Sequence, residues 1–161
     1  MANLKNKPDT LFYTSGRDVV ENRNLAKQLT WHIVESFLKA MVNTDITHVE
    51  GCAFLLKPPG EKGKLYPHQD SSLIDEIKYA SFYGWIPLQD VSEQNGIINV
   101  IPGSHRWSIH YRSLDVPWPL EEHWDLLREY SAPLNIKACN ILLFDSVLIH
   151  VSGLNQSEQL S

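Results

Sequence analysis

From Asn24 onward the chain sets apolar residues four apart, at Leu25, Leu29, Ile33, Phe37 and Met41, with Val34 and Leu38 widening the stripe. That spacing predicts an amphipathic helix, capped by Asn24 and ended by Asn43-Thr44-Asp45. Past it the texture shortens to that of strands. Val49 to Lys57 is apolar and stops at Pro58-Pro59-Gly60, Leu65 to Asp70 is a second short run, and Tyr79 to Gln89 is rich in aromatics. Asn95-Gly96 is a hairpin signal because both residues tolerate positive φ, so Ile97 to Ile101 reads as the returning strand, closed by Pro102-Gly103. Leu134 to Ala138, Ile141 to Phe144 and Leu148 to Ser152 complete the set. Residues 104–134 have no clean periodicity, apart from a short helix over Glu121 to Tyr130. Short strands at close spacing, after one helix, predict a mainly β sandwich or jelly roll.

Length and composition narrow this further. A chain of 161 residues is expected to form a single domain over 1–161 with one sizeable core. Its hydrophobic content of 43% and charged content of 20% are ordinary for a globular protein. A net charge of −5 argues against a nucleic-acid partner, which needs a basic surface. No apolar run reaches the length of a membrane span, and the first residues lack the apolar core of a secretory signal. Cys52 and Cys139 are in no metal-type spacing and read as buried thiols in a reducing compartment, so the expected location is cytoplasmic. Asn155-Gln156-Ser157 fits a glycosylation sequon, taken as fortuitous without a secretion signal.

The chemistry concentrates at Tyr66-Pro67-His68-Gln69-Asp70. On an extended strand side chains alternate faces, so His68 and Asp70 point the same way and can hold two neighbouring positions on a divalent metal. Leu148-Ile149-His150-Val151-Ser152 offers a third ligand from the far end of the chain. Two histidines and a carboxylate on one face of an octahedral ion leave the opposite face open, as suits non-haem Fe(II) oxygenases. His-x-Asp alone is a weak signal, since 7 histidines and 19 acidic residues make a fortuitous surface pair common.

Several segments in series strengthen it. These are Lys57-Pro58-Pro59-Gly60, His68-Gln69-Asp70, Trp85-Ile86-Pro87-Leu88 with Asn95-Gly96, Ile101-Pro102-Gly103-Ser104-His105, and Phe144 with Leu148 to Gly153 and Asn155. In this order the chain resembles the phytanoyl-CoA dioxygenase family of Fe(II)/2-oxoglutarate oxygenases. The resemblance implies a double-stranded β-helix, the jelly-roll or cupin-like fold. It also implies Fe(II) as cofactor, 2-oxoglutarate as cosubstrate, and O2 and a small organic molecule as the other partners. His68, Asp70 and His150 match the iron ligands, while Lys57, Trp85 and Ser152 match positions lining the 2-oxoglutarate pocket. The implied reaction is hydroxylation of an unactivated C–H bond, with succinate and CO2 as coproducts. Asp70, in the place where halogenating relatives have a small residue, favours hydroxylation over chlorination.

One departure qualifies the reading. The family places an arginine one strand after the distal histidine, and this chain reaches Ser161 about where it is expected. The expectation is therefore a jelly roll whose last strand is missing, with an activity that depends on what supplies that cation. The alternatives are a metal-binding jelly roll without 2-oxoglutarate turnover, or a binding module in which His68 and His150 are structural. Residues 104–134, with Trp107, His110, Tyr111, Arg112, Trp118, His123 and Trp124, are expected to form a lid that selects substrate. His105 reads either as a substrate contact or as a hydrogen bond within its turn.

Overall fold

The structure, a computed structural model, describes residues 13–15, 28, 31–32, 34–41, 54–61, 65–107, 111–113, 116 and 118–161. Expectations for Asn24, Leu25, Leu29, Ile33, Asn43 to Asp45, Val49 to Ala53, Cys52 and His110 lie outside those residues. Contacts divide the chain into two compact units, one taking in Phe12–Leu56 and the other Lys57–Ser161. In the first, β1 (Tyr13–Ser15) pairs antiparallel with β2 (Phe54–Leu56), and the described residues 28, 31–32 and 34–41 are helical (α1). No helix among the described residues is long and apolar enough to cross a membrane.

Among its described residues the second unit has six short strands. β3 (Leu65–His68), β8 (His150–Ser152), β5 (Ile98–Val100) and β6 (Ala132–Leu134) form a four-stranded sheet in the order β3-β8-β5-β6. β4 (Phe82–Trp85) and β7 (Leu142–Asp145) form a second, two-stranded sheet. All pairs are antiparallel and join strands remote in sequence, as a jelly roll requires. Phe144 of β7 meets His150 of β8 edge-on at 5.1 Å between ring centroids, which marks where the two sheets meet. Val91, Ile97, Ile98, Val100, Ile101, Val147 and Ile149 are the buried apolar residues among those described.

Two strand expectations change. Asn95-Gly96 does not join a hairpin, because β4 pairs with β7 and β5 pairs with β6 and β8. The turn is wider than two residues. Ser92 N–H donates to Asn95 Oδ1 at 2.8 Å, Asn95 Nδ2 donates to Asp90 O at 2.7 Å, and Ile97 N–H donates to Ser92 O at 3.1 Å. Side-chain bonds of this kind stabilise a loop that carries the chain from one sheet to the other. The strand expected over Leu134 to Ala138 runs instead over Ala132–Leu134, with Ile136 forming only a single bridge to Val91. Pro133 is tolerated there because β6 is an edge strand, where a missing N–H costs no ladder bond. Glu121 to Tyr130 is helical as the pattern predicts: α2 (Trp124–Leu127) is flanked by 3₁₀ turns over Glu121–His123 and Arg128–Tyr130.

Cys139 is exposed, contrary to the buried-thiol reading. It sits in a turn with φ of 65°, its N–H donating to Pro87 O at 3.1 Å, so its side chain is directed by the turn and not by its hydrophobicity. Asn155 is fully buried. Its amide donates to Lys57 O at 3.0 Å and Gln159 O at 2.7 Å, and its Oδ1 accepts from Ser157 Oγ at 2.6 Å. In the folded protein the sequon asparagine is thus a structural tie, with no surface on which to carry a glycan.

Candidate metal centre

The site begins with an irregularity in β3. Leu65 stands opposite Ser152 and His68 opposite His150, so three steps along β3 match two along β8. One extra residue in a strand is a β-bulge, a device that re-aims a side chain. Pro67, which has no N–H to give a ladder, lies inside it. The result is a direct cross-strand pair of imidazoles, with ring centroids 4.2 Å apart. β3 ends at His68, so Asp70 reaches the site by another route than strand alternation. Its N–H donates to Ser146 O at 3.0 Å, which holds it beside the turn between β7 and β8.

Ligand atoms of His68, Asp70 and His150 all lie within 4.8 Å of one another, and His150 Nε2 is 4.0 Å from Asp70 Oδ2. Each imidazole has its other nitrogen occupied. His68 Nδ1 is 2.8 Å from Tyr66 O, and His150 Nδ1 is 3.0 Å from Leu148 O. A carbonyl can only accept, so Nδ1 carries the hydrogen and Nε2 presents its lone pair in both rings. Burial lowers the pKa of both histidines; for His68 the neighbouring His150 adds to this, so both are neutral at pH 7, the ligating form. Burial raises the pKa of Asp70, against the opposing pull of His68 and Arg112. Asp70 Oδ2 is buried with no hydrogen-bond partner. A lone carboxylate oxygen in such a place is costly unless a cation meets it. The donor set and this orphaned oxygen together fit a divalent metal.

Comparison with known proteins agrees. The phytanoyl-CoA dioxygenase (PhyH) family matches residues 9–161. The chain belongs to the phytanoyl-CoA dioxygenase family. A phytanoyl-CoA dioxygenase domain-containing protein 1 of Danio rerio is 28% identical over 113 residues, covering 65% of this chain and 39% of the relative. Phytanoyl-CoA dioxygenase 1 of Oryza sativa subsp. japonica is 30% identical over 112 residues, covering 65% and 38%. The chain thus spans about two fifths of the length of the curated relatives it matches. The crystal structure of EvdO2 from Micromonospora carbonacea var. aurantiaca, complexed with 2-oxoglutarate, superposes with a TM-score of 0.64. That match has 17% identity and covers 92% of this chain and 62% of the other, and it bears on the fold alone. Fe(II) and 2-oxoglutarate are the cofactor and cosubstrate of the phytanoyl-CoA dioxygenase family.

The three residues expected to line a 2-oxoglutarate pocket, Lys57, Ser152 and Trp85, fall in two places. Lys57 and Ser152 are both buried, and Lys57 Nζ donates to Ser152 Oγ at 2.6 Å. His150 and Ser152 alternate with the less buried Val151 on β8, so the hydroxyl and the imidazole share a face. The backbone of Lys57 is fixed at both ends, its N–H donating to Ser161 O at 2.6 Å and its carbonyl accepting from Ser161 N–H at 3.0 Å. Gly96, with φ of +94°, lies so close to the Lys57 stem that a Cβ there would overlap Lys57 Cδ and Cε. Burial lowers the Lys57 pKa to about 8. Trp85 stands in the other sheet, at the end of β4 opposite Leu142, half-buried, its indole without a hydrogen bond among the described residues.

Several residues that matter here stand inside the quoted motifs, which give them no role of their own. Gln69, between His68 and Asp70, is buried and donates to Val147 O at 2.6 Å. Ser104 is 1% exposed, and its hydroxyl accepts the N–H of Ile149 at 2.9 Å, next to His150. From the expected lid, Trp107, Tyr111 and His123 are exposed and Trp124 is half-buried, while Arg112 and Trp118 turn inward to Asp70 and Gln69. His105 is half-buried in its 3₁₀ turn, without a polar partner among the described residues.

Proposed function

We propose that His68, Asp70 and His150 hold Fe(II), and that Lys57, Ser152 and Trp85 receive 2-oxoglutarate, in an oxygenase that hydroxylates a C–H bond of a small organic substrate. The observation that carries this is the convergence of two lone-pair nitrogens on a buried carboxylate oxygen that has no other partner. When bound, Fe(II) with 2-oxoglutarate and O2 supplies the oxidising power, with succinate and CO2 as coproducts. The chain's share is binding and orientation. The Tyr66 and Leu148 carbonyls fix the tautomers of His68 and His150, so neither ring needs to lose a proton before it ligates. Lys57 presents an ammonium to the anionic cosubstrate, the Ser152 hydroxyl bonds a carboxylate oxygen, and Trp85 forms a wall. With Asp70 occupying the carboxylate position, hydroxylation is favoured over halogen transfer.

Anaerobic addition of Fe(II) and 2-oxoglutarate tests this reading: a weak visible charge-transfer band is expected, and succinate on admitting air. Tight Fe(II) binding with neither band nor succinate would support the metal-binding jelly roll without turnover. A second expectation concerns pH. Because the Lys57 pKa is lowered to about 8, its ammonium is lost above that pH, and the affinity for 2-oxoglutarate falls with it. The limiting slope is about tenfold per pH unit once the proton must be taken up on binding. Lys57→Arg stays charged throughout and is expected to flatten the profile. A parent profile that is level from pH 7 to 9.5 contradicts the role given to Lys57.

A further inference from the structure

We infer that Arg112 is a positioning residue for the metal centre, and that its buried pair with Glu76 locks the Asp70 segment to the turn that delivers His150. The inference rests on the reading of His68, Asp70 and His150 as metal ligands. Arg112 is a charged residue with 4% exposure, and Glu76 has a side chain only 10% exposed. Four residues close a ring of bonds. Arg112 Nε donates to Asp70 O at 2.7 Å, and Asp70 N–H donates to Ser146 O at 3.0 Å. Ser146 Oγ donates to Glu76 Oε1 at 3.1 Å, and that same oxygen pairs with Arg112 Nη2 at 2.5 Å. Ser72 braces the ring: its Oγ donates to Glu76 Oε2 at 3.1 Å and accepts the Arg112 N–H at 3.2 Å. Alongside, Trp118 Nε1 donates to Gln69 Oε1 at 3.3 Å, while the Gln69 amide holds Val147 O.

The placement gives the ring its purpose. Ser146 and Val147 lie between β7 and β8, a few residues before His150, while Asp70 lies just past the end of β3. Three ligands that come from two remote stretches must keep their spacing for one ion; the β3–β8 pairing joins His68 to His150, and this ring adds the tie between Asp70 and the turn before His150. A planar guanidinium with several fixed N–H directions can reach a carbonyl and a carboxylate together, which an ammonium does less well. A buried ion pair is a poor source of net stability compared with apolar packing. Its value here is geometric: outer partners that orient ligands typically change metal affinity by about 10–100-fold when removed.

The test is a Co(II) titration of the whole chain, reading both the dissociation constant and the d–d absorption spectrum. Arg112→Met is expected to weaken Co(II) binding by about 10–100-fold and to alter the spectrum, with Arg112→Lys recovering part of the loss. Glu76→Gln, which keeps shape and loses charge, should weaken binding in the same direction and serves if Arg112→Met fails to fold. A merely structural arginine would lower the melting temperature yet leave the affinity and spectrum of the folded protein unchanged. Parent-like affinity and spectrum in folded Arg112→Met, or in Glu76→Gln where only that variant folds, overturns the inference and leaves the metal site standing. A parent protein that binds no Co(II) overturns the metal-site reading itself, and this inference with it.

Discussion

Replacing Asp70 by asparagine is expected to remove Fe(II) binding while leaving the metal-free protein at least as stable as the parent. The two halves of this result come from the same atom. Asp70 Oδ2 is buried without a partner, and burial raises the carboxyl pKa, so in the metal-free fold the ionised group is a cost. An asparagine of the same shape carries no charge to desolvate. The melting temperature of the metal-free variant should be unchanged or about 2–4 °C higher, the shift that about 1 kcal/mol produces in a chain of this size. Metal affinity goes the other way. Loss of a charged inner ligand should exceed the effect of losing an outer partner, so a fall of more than about 100-fold is expected. Calorimetric titration with Fe(II) under argon and thermal unfolding with chelator present check the two parts. A stability loss of several degrees with metal affinity intact would mean that Asp70 is a structural carboxylate.

The second large effect is expected at Gly96. Its φ of +94° is costly for any residue with a Cβ, and the Cβ of an alanine would overlap the buried Lys57 stem. Strain of about 1–2 kcal/mol and overpacking of about 1–3 kcal/mol combine to about 2–5 kcal/mol for Gly96→Ala. The stem can escape only by moving Nζ away from Ser152, so 2-oxoglutarate binding should fall together with stability. Pairing Gly96→Ala with Lys57→Ala, whose side chain is short, should relieve the overpacking part of the loss but neither the strain of the positive φ nor the loss of cosubstrate affinity. If the pair is merely additive in stability, the close approach of Gly96 to Lys57 is not what fixes the glycine.

Much of this site was legible in the sequence, for identifiable reasons. Alternation along Leu148 to Ser152 places His150 and Ser152 on one face, and β8 has that pattern. The order of motifs from Lys57 to Asn155 pointed to a jelly roll, and the sheet order β3-β8-β5-β6 with β4-β7 has that character. His68 and Asp70 do reach one place, but through a bulge at Pro67 and a backbone bond to Ser146, not through strand alternation. Local periodicity cannot see such a step, because the register is set by the partner strand. The same limit explains the Asn95-Gly96 turn: the dipeptide marks a reversal and a positive φ, but which strands pair is decided by Phe144 and its neighbours far along the chain. The pairing of Arg112 with Glu76 was illegible for a different reason. Arg112 reads as one residue of a substrate lid, and no local pattern marks Glu76, 36 residues away, as its buried partner.

The central claim is that one metal ion is shared by His68, Asp70 and His150. The most direct test is an anaerobic crystal structure of the Fe(II)- and 2-oxoglutarate-loaded protein, with data collected at the iron absorption edge. The account predicts a single anomalous peak bonded to Nε2 of both histidines and to the Asp70 carboxylate, with 2-oxoglutarate extending toward Lys57 and Ser152. An anomalous peak elsewhere, with both imidazoles and the carboxylate left uncoordinated, would contradict it.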